Sequence, residues 1–180
     1  FLNLIFEQRI YKTTFLIIKM VKESSLEDLK KDYEKLKSKY ALPSFKELNE
    51  EFDIEKAAEQ ETECLIREVR KLIMEKVIAY LRFIEMLLNP SNAPMFFFAL
   101  VKGLTSVDKR ILEKLYDKLG SFEIDVIELD CNYNEKEEAE FIKKILVEWQ
   151  SVKEDMLKLA EVLRRNWGQK TRKDERGYFG

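Results

Sequence analysis

From Asp53 to Asn89 the chain contains neither proline nor glycine, and its apolar residues recur at helical spacing. Ile66, Val69, Ile73, Val77, Tyr80, Ile84 and Leu87 follow one another by three or four, which stacks them on one face of a helix. Leu65, Leu72, Ala79, Phe83 and Met86 make a second stripe beside the first. A helix apolar over that much of its surface contacts neighbours on at least two sides. The spacing therefore predicts a central helix over 53–89, roughly 50 Å long, capped by Asp53 and closed by Asn89-Pro90 because proline cannot continue it. Arg67, Lys71, Glu75, Arg82 and Glu85 mark the solvated side, while Lys76 falls between the two stripes and Arg70 at the edge of the first. Both are candidate buried polar residues that snorkel or pair with a carboxylate. A lysine in apolar surroundings can also serve as base or nucleophile, so a catalytic reading of this chain would rest on Lys76.

Before that stretch, Ser24 or Ser25 caps a helix over about 25–40, with Glu27 and Asp28 as capping-box partners. Its seam is Leu26, Leu29, Tyr33, Leu36 and Tyr40, and Ala41-Leu42-Pro43 breaks it. Ser44 with Glu47 opens a short helix carrying Leu48 and Phe52. Residues 1–19 precede Met20-Val21-Lys22-Glu23, which looks like a natural start, and are expected to be an N-terminal extension outside the core. Their longest apolar run is far too short to cross a bilayer.

After Pro90 comes the most unusual local sequence, SNAPMFFFALVKGL. Ser91 or Asn92 can cap it, Pro94 suits a first helical turn and Gly103 a C′ position. Between them Met95, Phe96, Phe97, Phe98, Ala99, Leu100 and Val101 are apolar on every face. Such a run is either a plug buried between longer helices, which is favoured, or an exposed aromatic surface for a partner or a membrane face. Met95, Phe96, Phe97 and Phe98 are thus the candidate interaction residues.

Thr105 or Ser106 caps the next helix, with Val107, Ile111, Leu112, Leu115 and Leu119 inward and Gly120 at its end. Residues 121–131 fit either period, and helix is expected because no second strand is evident beyond Thr14–Val21. The last long helix, 134–167, opens on Asn134 and Glu137. Glutamates crowd its first turns, and Arg164 and Arg165 its last, which complements the macrodipole. Ile142, Ile145, Trp149, Val152, Met156, Leu159 and Leu163 form the strictest heptad seam in the chain, for packing in the bundle or against another copy. Residues 168–180 read as a flexible basic tail.

These elements predict an all-α fold: one domain over 20–167, an elongated bundle of about six helices built on two long antiparallel helices, 53–89 and 134–167. With 37% charged residues, 5 glycines and 3 prolines, the composition is that of long amphipathic helices, and its Glu and Lys content also fits a thermophile. The net charge of −2 provides no global field for nucleic acid or an anionic membrane.

Histidine is absent, which removes the usual base, every Ser-His or Cys-His pair and the commonest metal ligand. Cys64 and Cys131 form no metal pattern and suit reduced thiols in a cytoplasmic protein. There is no P-loop, dinucleotide turn or zinc spacing. No cofactor and no metal are expected. The leading expectation is a non-enzymatic interaction protein, working through a protein partner or as a homodimer. The alternative is nucleic-acid binding through Arg164, Arg165, Lys170, Arg172, Lys173 and Arg176, interleaved with Trp167, Tyr178 and Phe179. Catalysis through Lys76 comes last.

Overall fold

Local signals set most of the helix boundaries. The computed structural model describes residues 25–59 and 62–177, apart from the side chains of Asn92 and of 169–177. The fold is all-α, with no strand among the described residues. In chain order the α-helices are α1 (25–40), α2 (Phe45–Phe52), α3 (Leu65–Leu88), α4 (Met95–Val101), α5 (Ser106–Cys131) and α6 (Glu135–Gly177). Short 3₁₀ helices at Ile54–Glu59 and Pro90–Asn92 precede α3 and α4. The chain divides into two compact units, 1–73 and 74–180, with the boundary inside α3. The extension expected at 1–19 lies outside the described residues.

In the first unit, Leu29 and Tyr33 of α1, Leu48 and Phe52 of α2, Ile54 and Ala57 of the 3₁₀ helix, and Ile66, Val69 and Ile73 of α3 are buried. The Tyr33 hydroxyl donates to the Pro43 carbonyl at 2.9 Å and Ser25 Oγ to that of Ala58 at 2.6 Å, so polar tips end on backbone. Ser44 and Glu47 form the expected capping box at α2. α1 ends with Ala41 at φ 52°, and the Leu42 N–H bonds to the Lys37 carbonyl, the pattern of a left-handed C-terminal cap built without glycine.

The helix expected over 53–89 starts later, at Leu65. Asp53 does not cap it; it is the left-handed C-cap of α2, its N–H bonded to the Asn49 carbonyl. The cause lies in 54–63, where Glu55, Glu59 and Glu63 repel at four-residue spacing and the apolar stripe lapses. Among the described residues there, Ile54 and Ala57 are buried, enough for a 3₁₀ turn.

In the second unit α5 and α6 pack as an antiparallel hairpin joined at 132–134. Ion pairs Lys114–Asp155 (2.7 Å), Lys118–Glu148 (3.4 Å) and Asp125–Lys144 (2.6 Å) run up one helix as they run down the other. The seam of α6 is buried at Ile142, Ile145, Trp149, Val152, Leu159 and Leu163. Thr105 with Asp108 forms a capping box at α5, and Asn134 Oδ1 accepts from the Lys136 and Glu137 N–H groups before α6.

Two expectations, on Gly120 and Val107, are corrected here. Gly120 does not end α5, which continues to Cys131, because one interior glycine costs about 1 kcal/mol and the buried Phe122 and Leu129 carry the helix on. Val107 is exposed, and α5 turns Asp108, Leu112, Leu115 and Leu119 inward instead. The backbone of 168–177 continues α6 as helix, propagated from a long packed helix through good helix formers.

Asp155 is nearly buried and accepts from Lys114 at 2.7 Å and Lys158 at 3.1 Å. The hydrogen bond from Lys114, followed by that from Lys158, holds its carboxyl below the usual range against the opposing effect of burial. A carboxylate lowered on folding stabilises the fold above its unfolded pKa, and that contribution is lost as pH falls through the folded value. Asp155→Asn should therefore lower stability at pH 7, and should lose less than the parent chain as pH falls from about 4 to about 2. Urea denaturation at both ends of that window checks this; parallel losses would contradict it.

Candidate interaction surface

α4 is seven residues long, too short to be stable alone, so its place is set by what it packs against. Phe97 and Leu100 are its buried side chains. Phe97 lies 5.8 Å, centroid to centroid, from Phe83 of α3. Phe96 meets Phe97 edge-on at 5.5 Å and Trp167 of α6 at 5.2 Å. The rings thus form a continuous series from the core outward to Trp167.

The far end of α4 is fixed by a buried polar contact. Asn166 of α6 is 7% exposed and its Nδ2 donates to the Leu100 carbonyl at 3.1 Å. Gly103 explains why this bond is short enough to form. A Cβ there would come within 2.7 Å of the Asn166 side chain. Gly103 does not have the left-handed backbone expected of a C′ glycine; its role is to let Asn166 approach. Asn166 occupies the position three residues beyond Leu163 in the α6 seam, so the signal for it was a polar residue where the heptad calls for an apolar one.

The burial expected for the aromatic run holds for Phe97 alone among the four candidates. Met95 is 85% exposed, and Phe96 and Phe98 are each 47% exposed. Trp167 is also exposed beside Phe96. Sequence reasoning placed Trp167 with the basic tail and did not connect it with α4, since about seventy residues separate them in the chain. An open groove of about 700 Å³ lies just before α4, lined in part by Met86, Leu88, Ala93 and Tyr116.

The other candidates lie elsewhere. Lys76 is half-buried, its Nζ 5.7 Å from the Trp149 ring centroid, and Tyr80 stacks on the same indole at 5.6 Å. This is a snorkelling cation over an aromatic face, and Lys76 lines neither groove described here. Arg70 is buried at 2% exposure and is engaged by partners. Arg164 and Arg165 are exposed next to Trp167. Thr105 hydrogen bonds, aided by the charge of Arg165, draw the Asp108 carboxyl below its usual range. Lys170, Arg172, Lys173 and Arg176 stand on helical backbone, with side chains outside the described residues.

A second open groove, about 610 Å³, is bordered by Asp125, Glu128, Glu137 and Glu140, with Lys144 bonded to Asp125. No group of three or more metal-ligating side chains is assembled among the described residues. No disulfide links Cys64 and Cys131, and no described helix is long and apolar enough to cross a membrane. Comparison with protein-family models, curated proteins and solved structures finds no match to this chain.

Gly103→Ala displaces Asn166 and leaves the Leu100 carbonyl without its donor, at a cost of about 1–3 kcal/mol. Urea unfolding followed by Trp167 fluorescence in a Trp149→Phe background should show that loss. Unchanged stability would mean that the contact does not hold α4.

Proposed function

We propose that this chain is a non-enzymatic helical interaction protein that binds a protein partner through Met95, Phe96 and Phe98 of α4 together with Trp167. The observation that carries this reading is the exposure of large apolar side chains on a short helix whose far side is fixed by Phe97, Leu100 and Asn166. Apolar side chains exposed together mark contact surfaces more often than the scattered ones normal on any protein. Aromatic anchors held rigid by the scaffold lose little conformational entropy on binding, which suits them to be the energetic centre of an interface.

The test is affinity capture from the native host with the full chain and with Phe96→Glu. A protein retained by the parent chain should be lost from the variant, while thermal unfolding of the variant stays within a few degrees of the parent. Equal retention by both chains would contradict the reading.

Nucleic-acid binding through the C-terminal end is the second reading, favoured by the exposure of Arg164 and Arg165 beside Trp167 on a helix that runs on to Gly177. It requires affinity for single-stranded oligonucleotides that falls steeply with salt and disappears when 168–180 are removed. Catalysis through Lys76 is the least supported reading, because its ammonium rests on an indole face outside both grooves.

A further inference from the structure

The two stretches that build the α4–Trp167 surface contain no carboxylate. No Asp or Glu occurs from Met86 to Val107, which holds α4, or from Val162 to Lys173, which holds Asn166 and Trp167, although 34 of the 180 residues are acidic. The same stretches carry Lys102, Arg164, Arg165, Lys170, Arg172 and Lys173. A net charge of −2 for the whole chain therefore conceals one cationic region.

Two of these cations border the apolar patch. Lys102 continues α4 in helical conformation, four residues after Phe98 and seven after Met95, so the three share a face. Arg164 stands three residues before Trp167, on the adjoining turn of α6. Both are exposed, and neither has an ion-pair partner among the described residues. Lysines elsewhere, such as Lys31, Lys71 and Lys143, are bridged within their own helices. Arg165 turns the other way, where its charge acts on Asp108. The carboxylates on neighbouring elements leave the patch positive. Asp108 of α5 is nearly buried in its capping box, with Lys109 and Arg110 exposed after it. Glu85 borders the groove before α4 together with Arg82. Glu161 lies about 120° round α6 from Trp167.

We infer that the α4–Trp167 surface takes an acidic amphipathic segment of another protein, with its apolar side chains on Met95, Phe96, Phe98 and Trp167 and its carboxylates on Lys102 and Arg164. This rests on α4 being a contact surface and adds the chemistry of what it contacts. An apolar centre with charges at its rim is ordinary interface anatomy, and rim cations without carboxylates of their own attract an acidic partner and repel a basic one. The open groove beside α4, lined by Met86, Leu88 and Ala93, offers a segment a concave path that the face of a bilayer cannot follow. Met95, the most exposed side chain of the patch, is a flexible thioether, which packs on aliphatic and aromatic side chains and offers no plane on which a base could stack.

Selection of random peptides displayed on phage against the full chain tests this, with the recovered peptides measured by fluorescence anisotropy. They should combine Asp or Glu with spaced Leu, Phe or Trp, and their binding should weaken as salt is raised. Phe98→Glu should abolish binding with thermal unfolding unchanged. Lys102→Glu together with Arg164→Glu should weaken it about tenfold, the loss of two surface ion pairs. Lys136→Glu, at the far end of α6, should leave it as it was. Exchanging a peptide's carboxylates for lysines should reverse the order, so that the double variant binds it better than the parent chain does. Recovered peptides without acidic residues, bound alike by parent and double variant but not by Phe98→Glu, would overturn the inference and leave α4 as a contact surface. Recovered peptides indifferent to Phe98→Glu, or none recovered, would overturn both. Binding of phosphatidylglycerol vesicles or oligo(dT), lost with Phe98→Glu, in a chain that recovers no acidic peptide would overturn it in favour of a lipid or nucleic-acid phosphate.

Discussion

The apolar seam of α6 is the constraint on which the second unit depends. Ile142, Ile145, Trp149, Val152, Leu159 and Leu163 are all buried on a single helix, and α4 and α5 both pack against it. Each fully buried side chain of that size contributes about 1.5–3 kcal/mol. The three cross-helix ion pairs between α5 and α6 set the register of the two helices; Lys118–Glu148 and Asp125–Lys144, with partly exposed carboxylates, add about 0–1 kcal/mol each, whereas Lys114 meets the buried Asp155. Trp149 shows the division of labour: Tyr80 stacks on its ring and the Lys76 ammonium lies over it, so a cation sits at the edge of the core without a buried charge being created.

Asn166 interrupts this seam, and the interruption has a consequence for α4. A polar residue at a seam position costs stability unless its hydrogen bond is made. Here the bond goes to the Leu100 carbonyl, at the end of a helix too short to satisfy itself. One contact thus relieves two strained requirements, and it selects the position of α4 along α6. Phe96 is then placed against Trp167, and Met95 and Phe98 are left in solvent.

Much of the fold was legible in the sequence because it is written in periodic or positional signals. The α6 seam, the boxes at Ser44 and Thr105, the cap at Asn134 and the stop at Pro90 each have a local cause. The start of α3 was not legible from breakers, since none occurs between Asp53 and Leu65; like charges and a lapse of the stripe end the helix there instead. Gly120 misled for the converse reason, a breaker overridden by the packing of Phe122 and Leu129. The orientation of α4 could not be read at all. A run apolar on every face has no period, so which of Phe96, Phe97 and Phe98 turns inward is decided by Phe83 and Trp167, both distant in the chain. For the same reason Met95 to Phe98 were identifiable as candidates, while Trp167 and Asn166 were not recognisable as their neighbours.

If α4 presents a contact surface, position 95 should touch a partner in the cell and an equally exposed apolar position elsewhere should not. Val147 on α6 is such a control, at 79% exposure against 85% for Met95. A photoreactive amino acid placed at each position in the native host measures this directly. The expected result is a discrete covalent adduct from position 95, absent from position 147 and lost when Phe96→Glu is added. The same adducts from both positions, or none from position 95, would contradict it.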